Sequence, residues 1–113
     1  MSNERSYPRY RVDKHIPIKM APQLGVMECL YKHLVKAFGN PSYSIDYGDD
    51  FDGVEKCAWH IEFESGQVAK ISDVRPFGKQ DSDYRTINNW KVNAHSENTY
   101  EWIKQIIRDK NVY

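Results

Sequence analysis

Seven residues between Arg75 and Ser96 carry side chains of the types suited to holding a phosphorylated ligand: Arg75, Tyr84, Arg85, Trp90, Lys91, His95 and Ser96. Arginine and lysine donate charge-assisted hydrogen bonds to phosphate oxygens. An aromatic ring, here Tyr84 or Trp90, stacks on a nucleobase. His95 and Ser96 lead into a C-terminal helix whose first N–H groups lack intrahelical partners, an anion site where a phosphate could also meet Lys91 or Arg75. The same residues have a plainer reading. Lys91 and His95 suit a solvated strand face, Ser96 suits an ordinary helix cap, and Trp90, in phase with Val92 and Ala94, suits the core.

Other chemistries find less support. The acidic run Asp46-Tyr47-Gly48-Asp49-Asp50-Phe51-Asp52-Gly53 invites a calcium loop. Placing the loop's required glycine at Gly53, however, puts Gly48 at the first ligand position and Trp59 at the closing glutamate position. His15, His33, His60 and His95 show no HExxH spacing, and His60 with Glu62 supplies only two of the ligands a zinc ion needs. Cys57 shares a strand face with Trp59 and Ile61, and Cys29 lies in an expected helix without a local base, so both thiols read as structural. No GxSxG, GxxxxGK[ST] or Gly-rich dinucleotide turn occurs. These patterns point to binding without catalysis, and to no metal or cofactor.

The elements that position the seven residues follow from periodicity. Residues 1–19, with Pro8, Pro17 and alternating Tyr10, Val12, Ile16 and Ile18, suit an extended arm or edge strand. From Pro22 to Phe38, the steps Leu24, Met27, Leu30, Leu34 and Phe38 predict one helix stopped by Gly39, its first turn weakened by Gly25 by about 1 kcal/mol. A short strand around Tyr43 to Ile45 lies in the loop that follows. In CAWHIEF the residues Cys57, Trp59, Ile61 and Phe63 alternate with polar or small ones, and Ser65-Gly66 turns the chain into Val68 to Val74, a β-hairpin. Trp90, Val92 and Ala94 mark a third strand. Ser96 caps a last helix running to about Asp109, with an apolar stripe of Tyr100, Ile103 and Ile107. The expected fold is α+β: a small antiparallel sheet of three or four strands, with one helix in the N-terminal half and one at the C-terminus packed on one face. The 113 residues make a single domain, an extended basic arm over 1–19 followed by an α+β core over 20–113.

Composition narrows the partners. Lys plus Arg and Asp plus Glu both number 16, so the net charge is zero and a general affinity for polymeric nucleic acid finds no electrostatic source. The neutrality is a sum of unlike pieces: residues 1–20 carry +3, residues 40–66 carry −6 and residues 67–95 carry +2. No apolar run is long enough to span a membrane, and the polar start MSNERSYPRY has no apolar signal core, so the chain reads as cytoplasmic with reduced thiols. Aromatic residues make up 13% of the chain, more than so small a core needs, which suits an oligomer.

The order of short motifs, LVKAFGNP, WHIEFESGQVAKISD, NNWKVNAHS and a closing amphipathic helix, resembles a widespread group of small phage proteins. The match covers roughly Leu30 to Ile107. The group is associated with the anti-CBASS nucleotide sponges, oligomeric immune-evasion proteins that sequester the cyclic dinucleotides by which bacteria signal infection. This resemblance implies a phage protein in the host bacterial cytoplasm that binds a cyclic dinucleotide, such as cyclic GMP-AMP, without cleaving it. The residue cluster fits such a ligand, with Arg75, Lys91 and His95 expected on phosphate and Tyr84 or Trp90 on a base, and because one small chain can hardly surround it, a homo-oligomer is expected, a tetramer or at least a dimer. Asn93-Ala94-His95-Ser96 stands where the group commonly has a Gly-Gly pair, and Ser72-Asp73-Val74-Arg75 where an aromatic residue and a lysine are common, departures that bear first on ligand choice. The alternative function is a small phage inhibitor that docks directly on a host defence or replication protein through its Tyr-rich arm and acidic loop.

Overall fold

The structure, a computed structural model, describes residues 7–18, 20–44, 56–74 and 84–111. Arg75 and the acidic run 46–53 lie outside the described residues. Among the described residues, six strands and two helices follow in the order β1 (Tyr10–Val12), β2 (Gln23–Glu28), α1 (Tyr31–Phe38), β3 (Tyr43–Ser44), β4 (Cys57–Phe63), β5 (Val68–Asp73), β6 (Asn89–Ala94) and α2 (Glu97–Lys110), with a 3-10 turn at Tyr84–Thr86. The sheet path runs β1-β4-β5-β6-β2, with β3 also paired to β4, and every pairing is antiparallel. The expected α+β class is what forms. The sheet is wider than three or four strands because β1 and β2 flank the central meander.

The meander forms where alternation predicts it. Trp59 pairs with Ile71 and Ile71 with Val92, so the apolar positions of β4, β5 and β6 share one face. The helices cover that face with Leu34, Phe38, Ile103 and Ile106, all buried with Trp59, Ile61, Ile71, Trp90 and Val92. Each of these side chains contributes about 1.5–3 kcal/mol by leaving water. Both buried indoles find acceptors: Trp59 Nε1 donates to Gly39 O at 2.9 Å and Trp90 Nε1 to Cys29 O at 3.1 Å. Asp73, 4% exposed, accepts from the backbone N–H groups of Lys56 at 2.8 Å and Cys57 at 3.1 Å and so ties the end of β5 to the start of β4. Ser96 caps α2 as expected, its hydroxyl accepting from Thr99 N at 3.2 Å.

The helix expected over Pro22 to Phe38 does not form as one element. Its first half is strand β2 and only Tyr31–Phe38 is helical. Three- and four-residue steps from Leu24 to Leu30 fit a helix, but Gly25 and Val26 weaken one, and β6 offers a ladder of hydrogen bonds along an otherwise open edge. A register shift between Gln23 and Gly25 lets the strand follow that edge.

The arm is part of the sheet. Its strand β1 pairs with β4, Tyr10 opposite Phe63 and Val12 opposite Ile61. Because β1 and β2 lie at opposite edges, the ten residues between them must cross the sheet, roughly 19 Å at four inter-strand spacings. They cross on the face away from the helices. His60 Nδ1 lies 3.2 Å from Ile16 O, Asn93 Nδ2 donates to Ala21 O at 3.1 Å, and Ala94 N donates to Pro22 O at 3.0 Å. Ile16 is 2% exposed yet lies apart from the main core, beneath this strap.

Candidate functional site

The structure distributes the residues expected at the site over three places. Tyr84 and Trp90 belong to an aromatic cluster under α1, in which Tyr31 meets Tyr84 edge-on at 5.6 Å and Trp59 meets Trp90 at 5.5 Å. Trp90 has no exposed surface and Tyr84 retains 6%. Neither ring is open to a base. Arg85 is exposed, its guanidinium carbon 4.5 Å over the Tyr84 ring. At the far end of β6, roughly 20 Å along the strand, lie His95 and Ser96. His95 is exposed, whereas the Ser96 hydroxyl is engaged by Thr99 N and by Thr99 Oγ1 at 3.0 Å. Lys91 points to the opposite face from Trp90, because neighbouring residues of a strand alternate.

Around Lys91 the sheet register assembles a different group. On the face away from the helices, Ala58, Ser72, Lys91 and Val26 form one row across β4, β5, β6 and β2. His60, Lys70, Asn93 and Gln23 form the next. Opposed residues in such pairs have Cβ atoms about 5 Å apart, and diagonal ones stay within reach of a lysine side chain. Lys91 and Lys70 therefore flank Ser72. Lys56, one residue before β4, continues the same face by alternation and is only 6% exposed. The Ser72 hydroxyl is fully buried and has no hydrogen-bond partner among the described residues; Asn93 Oδ1 is also buried without one among them. An unpaired buried hydroxyl costs about 1–3 kcal/mol, and here it stands beside Lys70 and Lys91, the half-buried cations through which this face could meet a ligand.

Lys70 and Lys91, both half-buried, suit an oxyanion, whose charge they would neutralise; Lys56 is 6% exposed and Ser72 has no exposed surface. His60, with Nδ1 directed at Ile16 O, stands in the adjoining row, and the strap forms a wall beside it. The sequence pattern placed Lys91 on a polar strand face but missed Lys70, Ser72 and Lys56. The signal was the hairpin register: the alternation that buries Ile71 puts Lys70 and Ser72 on the other face. The missing step was the pairing of β5 with β6 across a long connection.

Among the described residues no three His, Cys, Asp or Glu side chains come together, and no helix is long and apolar enough to cross a membrane. Neither cysteine is in a disulfide; burial pushes the Cys29 thiol up to about 11, and Cys57 is fully buried on the strand face of Trp59. No family model, no curated protein and no solved structure matches the chain.

Proposed function

We propose that the protein is a phage immune-evasion factor that binds and sequesters a cyclic dinucleotide, such as cyclic GMP-AMP, without cleaving it and thereby blocks CBASS defence. The observation that carries this reading is the register that stands Lys70 and Lys91 beside Ser72, whose hydroxyl has no partner among the described residues. The motif order from Leu30 to Ile107 supports it. One phosphate sits against this group. The expected rings Tyr84 and Trp90 are buried under the helices, so the base-stacking surface comes from a second copy, and the ligand lies between subunits. Arg85, exposed over Tyr84, would supply a further cation to a ligand held by a neighbouring copy.

A thermal-shift screen against cyclic dinucleotides, cyclic trinucleotides and their linear forms tests the reading. Binding stabilises by RT ln(1 + [L]/Kd), so a nanomolar ligand at micromolar excess adds roughly 4 kcal/mol and raises Tm by many degrees. The expected outcome is a shift with one cyclic species, its recovery intact, and affinity reduced at least tenfold in Lys91→Ala, Lys70→Ala and Ser72→Ala. Indifference to every nucleotide would refute the proposal and transfer the weight to direct docking on a host defence or replication protein.

A further inference from the structure

The edge of β2 is built differently from the face just described. Cys29 N–H donates to Asn88 O at 3.0 Å, so alternate pairing turns the N–H and C=O groups of Val26 and Glu28 away from β6. β2 ends the sheet path, and no described strand takes up those groups. A groove of about 480 Å³ runs between this edge and α2, with Met27, Cys29, Tyr100 and Ile107 among its lining residues. Val26, whose side chain leaves β2 on the opposite side from Met27, is 46% exposed at this edge. Strand edges in native proteins are commonly blunted by lysine, proline or a bulge. Here the register shift lies at the Gln23 end, and the regular stretch from Val26 to Glu28 carries neither lysine nor proline.

The helix wall of the groove is cationic. Lys104 and Arg108 stand one turn apart on α2 and both line it. Lys104 is held 2.9 Å from Glu101 and 4.6 Å over the Tyr100 ring, while Arg108 makes no ion pair among the described residues. Glu28 also lines the groove, at its strand side; its side chain alternates with Met27 and so leaves β2 on the side away from Lys104 and Arg108.

We propose that the β2 edge takes an extended acidic segment of a partner protein as an added antiparallel strand. Its backbone pairs with Val26 and Glu28. One set of its side chains packs on Met27, Tyr100 and Ile107, and a carboxylate among them reaches Arg108 and Lys104. Charge complementarity selects a carboxylate-bearing segment over a second copy of β2, whose own sequence, QLGVME, would bring only Glu28. The proposal is independent of the nucleotide reading, because the groove's walls, Met27 and the α2 residues Tyr100, Lys104 and Arg108, lie on the opposite face of the sheet from Ser72.

The test is selection of random dodecapeptides on the full chain, followed by affinity measurement on the wild type and on the exposed double variant Lys104→Glu/Arg108→Glu. Enriched peptides should alternate apolar residues with Asp or Glu, bind the double variant at least tenfold more weakly, and slow hydrogen exchange at the Val26 and Glu28 amides. The variant's far-UV circular dichroism and any nucleotide-induced thermal shift should match the wild type, which separates failure here from failure of the nucleotide reading. No enrichment, a consensus without acids, or unchanged affinity in the double variant overturns the proposal. So does concentration-dependent protection of the same amides in the protein alone, which marks pairing between copies.

Discussion

Gly25 and Tyr100 occupy each other's space: a Cβ on residue 25 would meet the Tyr100 ring carbon Cζ at 2.6 Å. The phenol of α2 rests on the bare backbone of β2, so the glycine that weakens a helix at this position is what lets the helix at the other end of the chain close over the sheet. Gly25→Ala should lose about 1–3 kcal/mol, the range for forcing a methyl into a packed site. In a Tyr100→Ala background the same substitution should be nearly neutral. Urea denaturation of the four proteins measures the coupling, and additive losses would remove the explanation.

Asp73 should prove structural. Its carboxylate accepts from two backbone N–H groups at the start of β4, and truncation leaves both without a partner in a buried setting. Asp73→Ala is expected to cost about 2–4 kcal/mol. Asp73→Asn, whose amide oxygen accepts the same bonds, should recover more than half of that loss in the same denaturation experiment.

Trp90 should behave as a core residue. Trp90→Phe removes a buried donor to Cys29 O and part of a ring packed on Trp59 and Tyr31, a loss of about 1–3 kcal/mol. Ligand affinity of the folded protein should be unchanged within twofold, whereas a direct stacking role would cost tenfold or more. Titration of folded Trp90→Phe with the ligand found by thermal shift decides between them.

The raised thiol of Cys29 gives a pH signature. With its titration moved to about 11, the thiolate fraction at pH 8 is roughly a hundredfold below that of an unfolded cysteine. Iodoacetamide labelling of the Cys29 peptide, followed by mass spectrometry, should be slower in the folded chain by about that factor and should accelerate up to pH 11. The fold favours the protonated thiol, so this contribution to stability is full below about pH 9 and is lost as pH rises through 11. Equal labelling rates in folded and unfolded protein at pH 8 would show the thiol to be solvated.

The sequence by itself determined the central meander and the C-terminal helix. Strict alternation in CAWHIEF, a turn at Ser65-Gly66 with Gly66 at φ 96°, and a serine before an amphipathic run are local signals, and each element formed where its signal stood. It also determined that Lys91 and Trp90 face opposite ways, because alternation needs no partner. What only the tertiary structure decided was everything that depends on pairing distant segments. Gln23–Glu28 became a strand because β6, more than sixty residues later, offered it hydrogen bonds and Tyr100 needed its glycine. The arm became an edge strand and a strap because β1 and β2 end on opposite edges of the sheet. Proximity along the chain therefore misled where the site was concerned: Tyr84, Trp90, Lys91 and His95 are near neighbours in sequence but divide between the two faces and two ends of one strand. Ser72, Lys70 and Lys91 come together through inter-strand register, which is set by the packing of Ile71 against Val92 and Trp59 and has no local code.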